Sequence, residues 1–220
     1  MRQKINKIET ISISEHKQGK MEGLLSLSTN KYTNKNCIAL MENKNPDLIC
    51  HSCFVDKTAK QYKDLTPSLQ DNSDLLTARI LNKEEIKNIS KKIMNSIIFR
   101  FEAFGGLNNE IQLINYINIA KKCKYTKFGL WTKHFKVVMD YFKKGGKLPK
   151  NITLVLSAPF KNNELNNMFV EGFKKYHKRV ITFTVMTTNS SIINCGKRKC
   201  IECRNCYDSK RPHNVYELIK

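Results

Sequence analysis

Five short stretches of this chain are rich in β-branched, leucine and aromatic residues, and more polar segments separate them. Stretches of this length and composition are typical of buried β-strands. We therefore predict five strands, which cover residues 22–29, 97–104, 127–131, 151–157 and 179–186.

Between the predicted strands, apolar residues recur at the spacing of an α-helix. One helix is predicted to start at Asn82, because Glu85 three positions later can complete a capping box. The apolar positions that follow are Ile86, Ile89, Ile93 and Ile97. Three further helices are predicted, the first with Asn108 as its N-cap, the others over residues 134–144 and 164–176.

The alternation of strands and helices predicts βαβ units and hence a parallel sheet. We expect an α/β fold of about five parallel strands, built as an open sheet or as a partial (β/α) barrel. The pattern does not separate these two architectures. Residues 57–73 are polar and carry only weak signals of regular structure. In either case ligands bind at the carboxyl ends of the strands, so the loops after the strands are the expected site.

Four cysteines lie close together after the last predicted strand, with the spacing C-x4-C-x2-C-x2-C. They are Cys195, Cys200, Cys203 and Cys206. Four thiolates can close a tetrahedral zinc site, and the same residue type holds iron–sulfur clusters. We predict that this segment binds a metal and leave zinc and iron–sulfur open.

A second group of cysteines, Cys37, Cys50 and Cys53, follows the first predicted strand. Three ligands leave one coordination position free, as in catalytic metal sites. One interpretation is a [4Fe–4S] cluster with one iron open to a small molecule. A second is structural zinc completed by His51 or a distant cysteine. A third is a single metal that both cysteine groups share.

The remaining cysteine, Cys123, is expected to be a small buried apolar residue. The length of 220 residues favours one domain. We expect an N-terminal extension over 1–21 and a single α/β domain over 22–220. Within that domain we predict a metal-binding loop over 37–53 and a Cys-rich C-terminal segment over 195–206.

The net charge of +20 has two interpretations. A field of that size favours a polyanionic partner, most obviously nucleic acid. Abundant lysine, asparagine and isoleucine can equally reflect an AT-rich genome, with the lysines forming a solvated surface. No apolar run reaches the roughly 18 residues of a membrane span, and the N-terminus lacks the apolar core of a secretory signal. We expect a cytoplasmic protein with no membrane partner.

Polar residues and a tryptophan at two predicted strand ends are candidate substrate contacts. Arg100 and Glu102 alternate along one strand, so we expect them on the same face. They would line a cleft as catalytic groups or form a structural ion pair. Lys133 would bind a phosphate or carboxylate or face water, and Trp131 would contact substrate or pack in the core.

Several residues in fixed order resemble the phage gene product 88 family. They are Cys53-Phe54, Arg100, Gly105, Tyr116, Ile119-Ala120, Trp131-Thr132-Lys133 and the late cysteines. The resemblance covers roughly residues 22–207 and implies an α/β fold with cysteine metal ligands. This chain has Gly105-Gly106 where the family pattern leads us to expect Gly-Asp.

A more distant likeness is to radical S-adenosylmethionine enzymes, which share the order of a strand, a three-cysteine loop and a Gly-Gly turn. It implies a [4Fe–4S] cluster on the early cysteines, S-adenosylmethionine bound near Gly105 and Gly106, and an auxiliary centre on the late cysteines. Two features depart from that pattern: twelve residues separate Cys37 from Cys50, and Leu107 follows the glycines.

Two functions therefore remain as hypotheses. The first is an iron–sulfur enzyme of the radical S-adenosylmethionine type that acts on a polar or nucleic-acid-related substrate. The second is a phage factor without enzymatic activity, with structural zinc and a basic surface that binds nucleic acid or an acidic host protein. The sequence leaves the oligomeric state open.

Overall fold

The computed structural model describes residues 11–196, 198–208 and 214–219. The first ten residues of the predicted N-terminal extension lie outside this range. A single sheet carries seven strands in the described part of the chain. Their bounds are β1 (Ser14–Glu15), β2 (Leu25–Leu27), β3 (Ile98–Phe101), β4 (Lys127–Thr132), β5 (Ile152–Ser157), β6 (Val180–Met186) and β7 (Asn214–Leu218).

The strands lie side by side in the order of the sequence, from β1 to β7. β1 pairs with β2 antiparallel, and every later pair is parallel. The mixed α/β class is confirmed, and each of the five predicted strands is present. The sheet has six parallel strands where five were expected, because β7 pairs with β6 at the edge of the sheet. A parallel sheet in strict sequence order is the strand arrangement of a singly wound, partial (β/α) barrel.

The described part of the chain also contains eight α-helices. They are α1 (Lys35–Glu42), α2 (Val55–Gln61), α3 (Leu65–Ala78), α4 (Lys83–Ile93), α5 (Glu110–Lys122), α6 (Phe135–Lys143), α7 (Asn167–Lys174) and α8 (Cys200–Cys203). The capping box at the start of α4 is confirmed: Glu85 N donates to Asn82 Oδ1 at 2.9 Å, and Asn82 N donates to Glu85 Oε2 at 2.7 Å. The predicted cap at Asn108 is wrong by one residue, because Asn109 accepts the bond from Gln112 N.

Residues 57–73 were expected to have little regular structure, but most of this segment is helical and belongs to α2 and α3. α3 buries polar residues as well as leucines, which is why its pattern is blurred. Asn72, for example, is 1% exposed and donates to the Ser12 and Ser28 carbonyls, both at 2.9 Å. Buried amides are tolerated when their hydrogen bonds are made.

The two faces of the sheet are covered differently. Helices α3 to α7 pack on one face and form the main core with residues such as Phe101 and Leu154. The opposite face packs against residues of the Cys-rich segment, including Ile201 and Tyr207. The described residues of the Cys-rich segment therefore lie on the other face of the sheet from helices α3 to α7.

Candidate functional site

The structure places Cys37, Cys50 and Cys53, here called the early thiol group, beyond the carboxyl end of β2. Cys37 lies in the first turn of α1, where its N–H donates to the cap residue Asn34 at 3.2 Å. Burial raises the pKa of the Cys37 thiol to about 12, and negative charge on Glu102, Cys50 and Cys53 acts in the same direction. The three thiols thus lie within electrostatic reach of one another.

Two lysines stand beside the early thiol group. Burial raises the pKa of the Cys50 thiol, and the charges of Lys133 and Lys31 oppose that shift. Lys31 is 2% exposed, and its Nζ forms an ion pair with Asp56 Oδ1 at 2.6 Å. Lys133 is half-buried. The predicted substrate contact Lys133 therefore lies at the early thiol group, together with a buried lysine that the sequence did not single out.

The Gly105-Gly106 turn lies against the same loop. The Gly106 carbonyl accepts hydrogen bonds from Asn34 Nδ2 at 2.7 Å and from Thr29 Oγ1 at 3.3 Å. A Cβ atom on Gly106 would lie 3.5 Å from Cys37 Sγ. The fold thus brings the glycines of the predicted cofactor site into contact with the loop of the predicted cluster site.

Gly105 needs to be glycine for two reasons. Its φ is +72°, and an added Cβ would lie 2.2 Å from the Thr29 carbonyl oxygen. We expect Gly105→Ala to lower the free energy of unfolding by roughly 2–4 kcal/mol, measured by denaturant titration.

Gly145→Ala is the matched control for that substitution. Its φ is +84°, but nothing lies within 4 Å of the added Cβ. The free energy of unfolding of this variant should fall by only about 1 kcal/mol, the cost of a left-handed backbone at alanine. Equal losses in the two variants would contradict the close approach of Gly105 to Thr29.

Glu102 is buried at the end of β3 and connects the Gly105-Gly106 turn to α5. Its carboxylate accepts hydrogen bonds from Thr29 N at 3.3 Å, Gln112 Nε2 at 2.6 Å and the Tyr116 hydroxyl. Burial raises the pKa of Glu102 to about 7, although these hydrogen bonds act against the shift. The predicted catalytic carboxylate is thus held in a network at the carboxyl edge.

The expectation that Arg100 and Glu102 share a face is wrong. Glu102 has a φ of 60°, which ends the regular alternation of the strand and turns its side chain toward α5. Arg100 lies on the opposite face, with its guanidinium carbon 4.0 Å from the centre of the Trp131 ring. The two predicted catalytic groups therefore belong to different surroundings.

Trp131 is packed in the core of that second face. It is 8% exposed and meets Tyr207 edge-on, with ring centroids 5.7 Å apart. Gly129 leaves the space for it, because a Cβ there would lie 2.4 Å from the indole ring. Of the two interpretations of Trp131, core packing is the one this geometry favours.

Cys195, Cys200, Cys203 and Cys206, here called the late thiol group, lie over the Arg100 and Trp131 side of the sheet. The α8 turn between Cys200 and Cys203 ends at Arg204, which adopts a left-handed φ of 55°. Burial raises the pKa of Cys206 strongly; Cys195 raises it further, and the charge of Arg100 lowers it. Arg100 is thus a counter-charge beneath the late thiol group.

Within each group, negative charge on neighbouring thiols acts with burial to raise the thiol pKa values of Cys37, Cys195 and Cys206. No set of three or more His, Cys, Asp or Glu side chains in this part of the chain is arranged to hold a metal ion. The arrangement of side chains therefore gives no support to the predicted metal-binding loops, and the ligands remain predictions. His51 is exposed and bonded to the Asn43 carbonyl, whereas Cys123 is buried as predicted.

Several residues of the site could not be singled out from the sequence. Thr29, Asn34 and Gln112 hold the turn and Glu102 in place, together with Tyr116, which the sequence indicated only as part of the family pattern. The available signal was the polar run after β2, which places hydroxyl and amide side chains at a carboxyl strand end, where parallel α/β proteins bind ligands.

A family model described as gene product 88 matches residues 6–213 of the chain. No curated protein and no solved structure matches it. No helix among the described residues is long and apolar enough to cross a membrane.

Proposed function

The chain belongs to the gene product 88 family of phage proteins, and from this premise we propose that it is an iron–sulfur enzyme of the radical S-adenosylmethionine type. One observation carries the proposal. The early thiol group and the Gly105-Gly106 turn, which follow successive parallel strands, meet at the carboxyl edge of a sheet in strict sequence order. Such an enzyme would act in the cytoplasm of the bacterial host.

The residues of the early thiol group suit a cluster in their chemistry. Three thiols form the donor set, and Lys31 and Lys133 supply positive charge that offsets thiolates. A [4Fe–4S] cluster bound by three cysteines supplies one-electron chemistry to a small molecule at its free iron. The thiols would have to turn toward a common point to bind it, since they do not converge in the described structure.

The other residues would bind and orient. The Gly105-Gly106 turn would contact S-adenosylmethionine through its backbone, and Glu102 would hold that turn through Thr29. Lys133 would bind an acidic group of the substrate. The late thiol group would close around an accessory metal, with Arg100 offsetting its negative charge.

The test is metal analysis of protein purified without oxygen, with iron, sulfide and zinc measured per chain. We expect iron and sulfide in the wild-type protein and a loss of at least half of the iron in the triple variant C37A/C50A/C53A. Cys123→Ala is the control, because Cys123 lies outside both thiol groups. Its metal content should equal that of the wild type.

A second candidate function is a phage factor with structural zinc that binds nucleic acid or an acidic host protein. The net charge of +20 and the burial of the late thiol group favour it. A colourless protein with one or two zinc ions and no iron after anaerobic purification would support this candidate and rule out the enzyme.

A further inference from the structure

We propose that the rim of the early thiol group binds single-stranded nucleic acid. Three aromatic side chains are exposed around this loop: Tyr32 by 45%, Phe54 by 49% and Tyr62 by 46%. The proposal names the substrate class of the proposed site. It rests on the proposed function only for the chemistry performed there, because the binding surface itself consists of other residues.

Each of the three rings is anchored and still about half exposed, although Lys31 Nζ lies over one face of the Tyr32 ring, 4.8 Å from its centroid. The Tyr32 hydroxyl donates to Asp56 Oδ1, and the Tyr62 hydroxyl accepts from Gln18 Nε2 at 3.2 Å. Phe54 packs against the buried Phe104, and their ring centroids lie 5.7 Å apart. Rings that are already oriented lose little conformational freedom when a base stacks on them.

Lysines alternate with these rings. Lys57 and Lys60 are exposed on α2, Lys63 directly follows Tyr62, and Lys35 begins α1. None of the four forms an ion pair in the described part of the chain. Their charge is therefore available to phosphates, while Asp56 is already paired with the buried Lys31. Aromatic platforms between lysines are the pattern by which proteins bind unpaired strands.

The opposite edge of the sheet shows why charge alone does not define this surface. Exposed lysines are dense there too, at Lys121, Lys122 and Lys124, but residues 121–125 include a single aromatic, Tyr125, which is 96% exposed. Phosphates would interact with both edges, whereas unstacked bases need several rings close together. This distinction favours a single strand over a duplex or an acidic protein at the rim.

The test measures binding of labelled 15-nucleotide RNA and DNA, single-stranded and duplex, by fluorescence anisotropy at low and moderate salt. We expect the single strands to bind and the variant F54A/Y62A to lose at least tenfold in affinity. Tyr125→Ala is the matched control and should change affinity less than twofold. Added salt should weaken binding in proportion to the number of phosphates contacted.

The proposal would be overturned by the absence of single-strand binding at low salt, by equal affinity for duplex, or by equal losses in F54A/Y62A and Tyr125→Ala. Competition by polyglutamate as strong as by nucleic acid would point to an acidic protein and also overturn it. If the Phe54 substitution disturbs folding, the affinity of the single variant Tyr62→Ala is measured instead. Metal content is measured on every variant, so normal binding by protein without iron would reject the proposed enzyme and leave the binding surface intact.

Discussion

Replacing Glu102 with alanine should lower the free energy of unfolding by roughly 3–5 kcal/mol. The substitution leaves two buried donors without an acceptor, Thr29 N and the Tyr116 hydroxyl. Gln112 Nε2 and the Thr29 hydroxyl also lose a bond to Glu102, but they keep acceptors in the Tyr116 hydroxyl and the Gly106 carbonyl. Each buried unsatisfied group costs about 1–3 kcal/mol. Denaturant titration measures the loss. Glu84→Ala, an exposed carboxylate on α4, is the control and should change stability by less than about 0.5 kcal/mol.

The same carboxylate should give stability a characteristic pH dependence. The pKa of Glu102 is raised from 4.5 to about 7 because the side chain is buried. Between these values the folded chain binds more protons than the unfolded chain, so stability falls as the pH rises from about 4.5 through 7. Glu102→Gln should flatten this part of the stability curve. An unchanged curve would show that Glu102 does not titrate in this range.

Removal of the accessory metal that we propose for the late thiol group should have the other large effect. We expect loss of roughly 5–10 kcal/mol of unfolding free energy on chelation or in the variant C203A/C206A, because a closed thiolate site adds its binding free energy to folding. Three of the four cysteines, Cys195, Cys200 and Cys206, pack on the core of the second sheet face. That loss would be enough to unfold a protein of ordinary stability.

Circular dichroism during thermal unfolding measures this effect, and the early triple variant C37A/C50A/C53A is the comparison. Its thiols lie on a loop at the edge of the sheet, so its melting temperature should fall far less. A protein whose stability is indifferent to chelators, or equally sensitive to both sets of substitutions, would contradict a structural role confined to the late group.

Local patterns were sufficient to predict five of the seven strands and four of the eight α-helices, α4 to α7, in the described part of the chain. The apolar runs of β3 to β6 are continuous because both faces of these strands are buried. β7 was missed because Asn214 and Glu217 interrupt its short apolar pattern, and four of its five residues are only partly buried. The two-residue strand β1 is too short to carry a pattern.

The site was predictable only where it follows from topology. The meeting of the early thiol group with Gly105-Gly106 follows from the rule that parallel strands bring their carboxyl ends to one edge. The reversed orientation of Glu102 depends on a single left-handed residue, which strand alternation cannot reveal. The burial of Lys31 and the enclosure of Trp131 are tertiary effects that depend on Asp56 and Gly129.

Electron paramagnetic resonance of the reduced, anaerobically reconstituted protein tests the proposed enzyme most directly, because it reports whether a small molecule reaches a free iron. We predict a [4Fe–4S] signal that changes when S-adenosylmethionine is added and that is absent from C37A/C50A/C53A. A cluster signal that S-adenosylmethionine leaves unchanged, or a protein that contains zinc and no cluster, would contradict it.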